Sequence, residues 1–279
     1  MIYRISILAF FCLCFSQLFA QSGKLGQIKN EVKENKSNSS SKHDHHSYSS
    51  SNDYDENGFF VELVGDVFLG LTYNVLFHSR YETPPFLAPE VGGVAFSKYP
   101  YIADDLGRYH DRPLDIPKKV SADFSSRYFY EDDKLYGLHH ELRFYPTRAL
   151  SMDVKYLFFR EGLDDGTSDR LDLVMMNLNY HRFRLTWLNL WWGIGYTNLK
   201  TDEGNGGFNI AVGCELYPGK PISLRTEWQF GTVAQTNVAV GTVDIGVHLN
   251  RFRLFGGLQR VKIGTVRIMG PTGGLSFFF

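Results

Sequence analysis

Three histidines stand close together in the run Lys42-His43-Asp44-His45-His46. Imidazoles on a flexible chain can gather Zn, Cu or Ni, so His43, His45 and His46 are the candidate metal ligands. No second ligand set accompanies them, and a polar linker that contains histidine is the competing reading. Further along stand His139, His140, His181 and His248. Nucleophilic or lipid-modifying chemistry needs a Ser or a paired Asp beside such a ring, and none recurs near them at the outer rim expected below. His181 is expected in a short turn, with one ring of His139-His140 on each face of a strand. Asp164, Asp165 and Asp169 offer carboxylates for Ca²⁺ but lack the spacing of an EF-hand, and a solvated acidic loop accounts for them. These residues name no catalytic set and no cofactor.

The remaining chemistry is ionic. Asp123, Arg127, Glu141, Arg143, Asp153, Lys155, Glu215, Arg225, Glu227, Asp244, His248 and Arg253 lie within alternating apolar and polar stretches, on the face opposite the apolar residues. Both signs occur in similar number, so facing strands can pair them into one network. A selective pore and a filled, structural interior both fit such a list, and the filled interior is favoured. A barrel of about eight strands is just filled by its side chains, and ten leave little more bore.

These residues must be positioned by strands. From Val120 onward alternation recurs about every 16 residues, as strand plus turn in a membrane barrel. Leu150, Met152, Val154, Tyr156 and Phe158 alternate with Ser151, Asp153 and Lys155. Val243, Ile245 and Val247 alternate with Asp244 and His248. About ten such strands follow, with 8–12 as the range. Turns at Pro146-Thr147, His181-Arg182, Pro218-Gly219 and Asn250-Arg251 read as tight. Connections at Glu131–Lys134, Glu161–Asp169, Lys200–Gly206, Ala234–Asn237 and Val261–Thr265 read as longer. The fold class is therefore all-β, an antiparallel up-and-down transmembrane β-barrel.

The sequence ends Thr272-Gly273-Gly274-Leu275-Ser276-Phe277-Phe278-Phe279. Thr272, Gly274, Phe277 and Phe279 resemble the assembly signal on the last strand of Gram-negative outer-membrane β-barrels: polar, any, Gly, any, any, aromatic, any, aromatic. The resemblance covers the last eight residues and identifies no specific family. It implies insertion by the barrel assembly machinery, contact with outer-membrane lipid, and a periplasmic C-terminus.

Composition agrees. Aromatics reach 15%, with 23 Phe and 16 Tyr, yet mean hydropathy is slightly negative. Alternation of lipid-facing and inward residues averages in this way. A net charge of -1 argues against nucleic acid. Residues 1–20 read as a signal peptide: Arg4, an apolar run from Ile5 to Phe15, then Ala20 before Gln21. Its removal takes Cys12 and Cys14 and leaves Cys214 without an intramolecular partner. Residues 21–57, rich in Ser, Asn and charge, are expected as a disordered tether in the periplasm. Residues 58–118 are expected as an amphipathic helix over 59–77, with a strand as its alternative, followed by a Pro/Tyr-rich collar or plug able to meet a protein partner. Residues 119–279 form the expected barrel.

The expected role is a non-enzymatic structural, surface or accessory subunit. A narrow, porin-like solute channel and a lipid-modifying enzyme or protease are the alternatives.

Overall fold

The computed structural model describes residues 23–40, 95–97, 99–102, 107–110, 120–200 and 205–279. The expected signal peptide, the helix at 59–77 and the His43, His45 and His46 cluster lie outside them. Ten strands close into one antiparallel barrel: β3 (Ser121–Tyr130), β4 (Leu135–Tyr145), β5 (Leu150–Gly162), β6 (Ser168–Arg184), β7 (Leu188–Lys200), β8 (Asn205–Gly219), β9 (Ile222–Val233), β10 (Thr236–Leu249), β11 (Phe252–Ile263) and β12 (Val266–Phe278). Each strand pairs with its neighbour in sequence. Closure comes from β12 on β3, with Thr272 opposite Phe129 and Phe278 opposite Asp123. Closure leaves no strand edge, the condition for a sheet to sit in hydrocarbon. At Gly274 a side chain would run into the Ser126 carbonyl, so glycine lets the closing strands meet.

Period-2 alternation sets the two faces. Outward lie Val154, Met176, Ile194, Phe208, Ile245, Leu254 and Leu275, all exposed. Inward lie their neighbours, largely buried. The barrel has a turn end and a loop end. The turn end holds the start of β3, the C-terminus and the turns near residues 146–149, 185–187, 220–221 and 250–251.

Three expectations are corrected. His181 is not in a turn. It lies within β6, because a bulge at Arg182 carries the strand on and moves the turn to residues 185–187. The loop-end connections are also less uniformly long. β9–β10 and β11–β12 are joined by two residues each, with Ala234 and Gln235 at φ 47 and 65, the geometry of a tight hairpin. Ladder pairing persists through the polar residues near this rim and shortens the links.

The third correction concerns residues 21–57, expected as a disordered periplasmic tether. They contain α1 (Lys24–Ser40), a helix of 17 residues. Leu25, Ile28 and Val32 are each 0% exposed. They recur at the spacing of one helical face. Three apolar residues in a polar stretch cannot form a core alone, but the barrel interior supplies the other half. The helix sits at the loop end, so it and the C-terminus do not share a side. At the turn end a two-stranded hairpin, β1 (Ala95–Phe96) with β2 (Tyr109–His110), belongs to the segment before the barrel.

Candidate functional site

The lumen is built in three layers. At the loop end, inward residues are apolar: Phe129, Leu157, Phe159, Leu173, Val240, Val261 and Ile268 pack with Leu25, Ile28 and Val32 of α1. Polar groups fix the helix at its ends and flanks. Glu161 on β5 accepts the backbone N–H groups of Gly23, Lys24 and Leu25 at 2.9, 2.9 and 2.7 Å. A carboxylate there satisfies orphan donors and meets the positive end of the helix dipole. Lys24 pairs with Glu131 at 2.9 Å and Lys29 with Asp169 at 3.0 Å. Glu31 accepts from the Thr265 backbone at 3.1 Å and its hydroxyl at 2.9 Å.

The middle layer is ionic. Arg127 donates two hydrogen bonds to Asp244, at 2.9 and 2.8 Å, a bidentate pair. Arg143 donates to Glu141 at 2.8 Å and to Glu227 at 2.9 Å. Arg225 reaches the same two carboxylates at 2.9 and 2.8 Å. Lys155 pairs with Glu227, and Asn177 donates to Asp153 at 2.9 Å. The indole of Trp191 lies under Arg143 at 4.8 Å and Arg225 at 5.6 Å. Glu215 and Arg253 line a small cavity with Asp123, Glu141, Arg143 and Arg225, whose free space is on the order of one water molecule. The twelve residues singled out from sequence thus all lie on the lumenal face. Asp123 and His248 lie on the turn-end side of the central cluster, where Asp123 also pairs with Arg108.

Carboxylate oxygens of Glu141, Asp153 and Glu227 converge within 4.8 Å of one another. Three acids so placed suggest a cation site, but Arg143, Lys155 and Arg225 already contact them. Three cationic side chains thus already engage the three acids that would otherwise hold a metal ion.

The third layer closes the turn end. Arg108 pairs with Asp123 at 2.6 Å and lies over the rings of Tyr145 at 4.6 Å and Phe278 at 5.1 Å. The Tyr101 hydroxyl donates to the Ile222 carbonyl. Burial pushes that hydroxyl up to about 12, so it stays a donor at ordinary pH. Tyr109 reaches the Arg148 carbonyl at 3.2 Å. His248 Nε2 meets Ser223 Oγ at 2.8 Å, and the ring stacks on Phe278 at 5.7 Å.

One constellation was missed in the sequence. Ser151 Oγ meets His181 Nε2 at 2.8 Å, and His181 Nδ1 meets Asn189 at 2.9 Å. These types, in this order, are those of a nucleophilic relay. All three are buried, the ring is packed by Trp191 and Tyr145, and Asn179 also donates to Ser151 at 3.4 Å. Ser151 and His181 are fully buried, so the relay reads as a polar strut between β5, β6 and β7. Its signal in the sequence was only the inward parity of Ser151, Asn179 and Asn189.

Of the C-terminal residues, Thr272 faces inward and is buried, while Phe277 and Phe279 face outward. Phe277 lies 4.9 Å from Phe252 and 4.6 Å from Phe279, forming an aromatic cluster at the turn-end rim.

No protein-family model and no curated protein matches the chain. Among solved structures it is similar to Ail, the attachment invasion locus protein of Yersinia pestis. Identity is 11%, 57% of this chain and 96% of that chain are covered, and the TM-score is 0.29. The barrel assignment rests on the strand register itself.

Proposed function

We propose that the chain is an outer-membrane β-barrel of a Gram-negative cell with a closed lumen, acting as a non-enzymatic structural or surface subunit. The observation that supports this reading is the lumenal packing in three layers, α1 above, the ion-pair network in the middle and the described residues between 95 and 110 below. The outward face supports the membrane setting. Its exposed apolar residues run around the whole barrel, a surface that would associate in water and that matches hydrocarbon. Phe277 and Phe279 at the turn-end rim support a periplasmic C-terminus, which sets the loop end and α1 outside. In this orientation the N-terminal helix is a lumenal plug near the cell surface. In this orientation residues 95–97, 99–102 and 107–110 lie at the periplasmic mouth, where an accessory partner would meet the barrel. A pore or an enzyme would need open space beside the charged or relay residues.

The test is membrane fractionation with heat-modifiable gel migration. The account expects outer-membrane recovery and a shift between unboiled and boiled samples. Recovery in the soluble fraction with no shift would end the membrane reading. Turnover of lipid or peptide by the refolded chain would end the non-enzymatic one.

A further inference from the structure

The cavity lined by Glu215 and Arg253 is also lined by Ser125 and Ser276, which stand directly opposite each other at the β12–β3 closing seam. Arg253 is 2% exposed. Its Nε donates to Ser223 Oγ at 3.1 Å, and its Nη2 has no hydrogen-bond partner among the described residues. The fold makes room for this side chain: a Cβ at Gly246 would run into Arg253 Nε, so the position takes glycine. Two strands away, on β3, Asp123 divides its carboxylate. Oδ2 accepts from Arg108 at 2.6 Å, while Oδ1 is buried and has no partner among the described residues. Two lining residues of one cavity thus carry an unpaired donor and an unpaired acceptor. Burying either group without a partner costs its full desolvation.

The lining selects the ligand. Asp123, Glu141 and Glu215 stand against Arg143, Arg225 and Arg253, three acids and three cations. A monatomic ion of either sign would meet as many repelling groups as attracting ones. A neutral molecule that both donates and accepts suits Asp123 Oδ1, Arg253 Nη2 and the two serine hydroxyls together. The free space is on the order of one water molecule, which excludes anything larger.

Resting on the closed-lumen reading, we infer that this cavity binds a single structural water, which accepts from Arg253 Nη2 and donates to Asp123 Oδ1. The water ties the segment before the barrel to the wall. Arg108 holds Asp123, the water links Asp123 to Arg253 of β11, and Arg253 holds Ser223 of β9, whose hydroxyl meets His248 of β10. One molecule thus completes a polar chain from the turn-end mouth across β3, β11, β9 and β10.

The test is a crystal structure of the full chain at a resolution that places waters, with a second crystal soaked in bromide. The expected result is one peak in the cavity, about 2.7–3.2 Å from both Asp123 Oδ1 and Arg253 Nη2, with no bromide signal there. No peak would overturn the inference, and a bromide signal would show an anion and overturn the choice of water. A solution arm compares S276V, which adds methyl groups to the cavity, with S276A, which does not. Displacing a bonded water leaves both polar atoms unpaired. S276V should therefore lower the urea midpoint in micelles and raise hydrogen exchange at residues 107–110 at least threefold, and S276A should do neither. An unchanged or raised midpoint for S276V would mean a dry cavity improved by filling, and equal losses in the two variants would assign the effect to the hydroxyl; either overturns the bridge. If S276V does not fold, the crystals of the unaltered chain decide. A chain with a closed lumen and no peak fails this inference alone, and a chain with unitary openings fails the closed-lumen reading.

Discussion

Glu227 is the residue on which the interior turns. Its carboxylate meets Arg143, Arg225 and Lys155, all within the lumen. Burying these charges is costly, and they are tolerated because each finds opposite partners. Removing one member leaves the others uncompensated. Glu227→Gln should therefore destabilise the barrel by about 3–5 kcal/mol, measured as urea unfolding from micelles. A loss below about 1 kcal/mol, the range of exposed pairs, would mean that water reaches the network. Most of these charges could be read from alternation, since strand parity assigns a face before any contact is known. Their pairing could not. Arg127 and Asp244 are 117 positions apart, and only closure of the barrel brings them together. The Ser151–His181–Asn189 strut was hidden for a related reason: the bulge at Arg182 shifted the turn away from His181.

Helix α1 was the element least visible in sequence. Leu25, Ile28 and Val32 are too few to register against the Ser, Asn and Lys around them, and their apolar partners are spread over nine strands. The strands were legible because every one of them carries its own alternation, whereas the helix borrows its core. Ile28→Asp puts a charge into that apolar layer and should unseat α1. The expected readout is rapid proteolysis within residues 24–40, with the heat-modifiable shift of the barrel retained. Proteolysis no faster than in the unaltered chain would contradict the seating described. Strand β12 makes a second demand. Phe277 packs against Phe252 and Phe279 at the rim, and deleting residues 277–279 removes both that cluster and the last rungs on β3. Outer-membrane assembly should fall severalfold by fractionation, and unchanged assembly would remove the role assigned to these aromatics.

At the scale of the whole molecule the layers act in series. The described residues between 95 and 110 are tied to the turn end by Arg108–Asp123 and Tyr101, and α1 to the loop end by Glu161, Glu131 and Asp169. The ionic layer lies between and belongs to the wall. Removing either end piece leaves that layer in place, so a chain lacking residues 24–40 should still carry little current. The closed lumen is the central claim, and planar-bilayer recording of the full chain tests it most directly. The account predicts insertion without unitary openings across the physiological voltage range. Stable, reproducible unitary openings from the folded chain would contradict it.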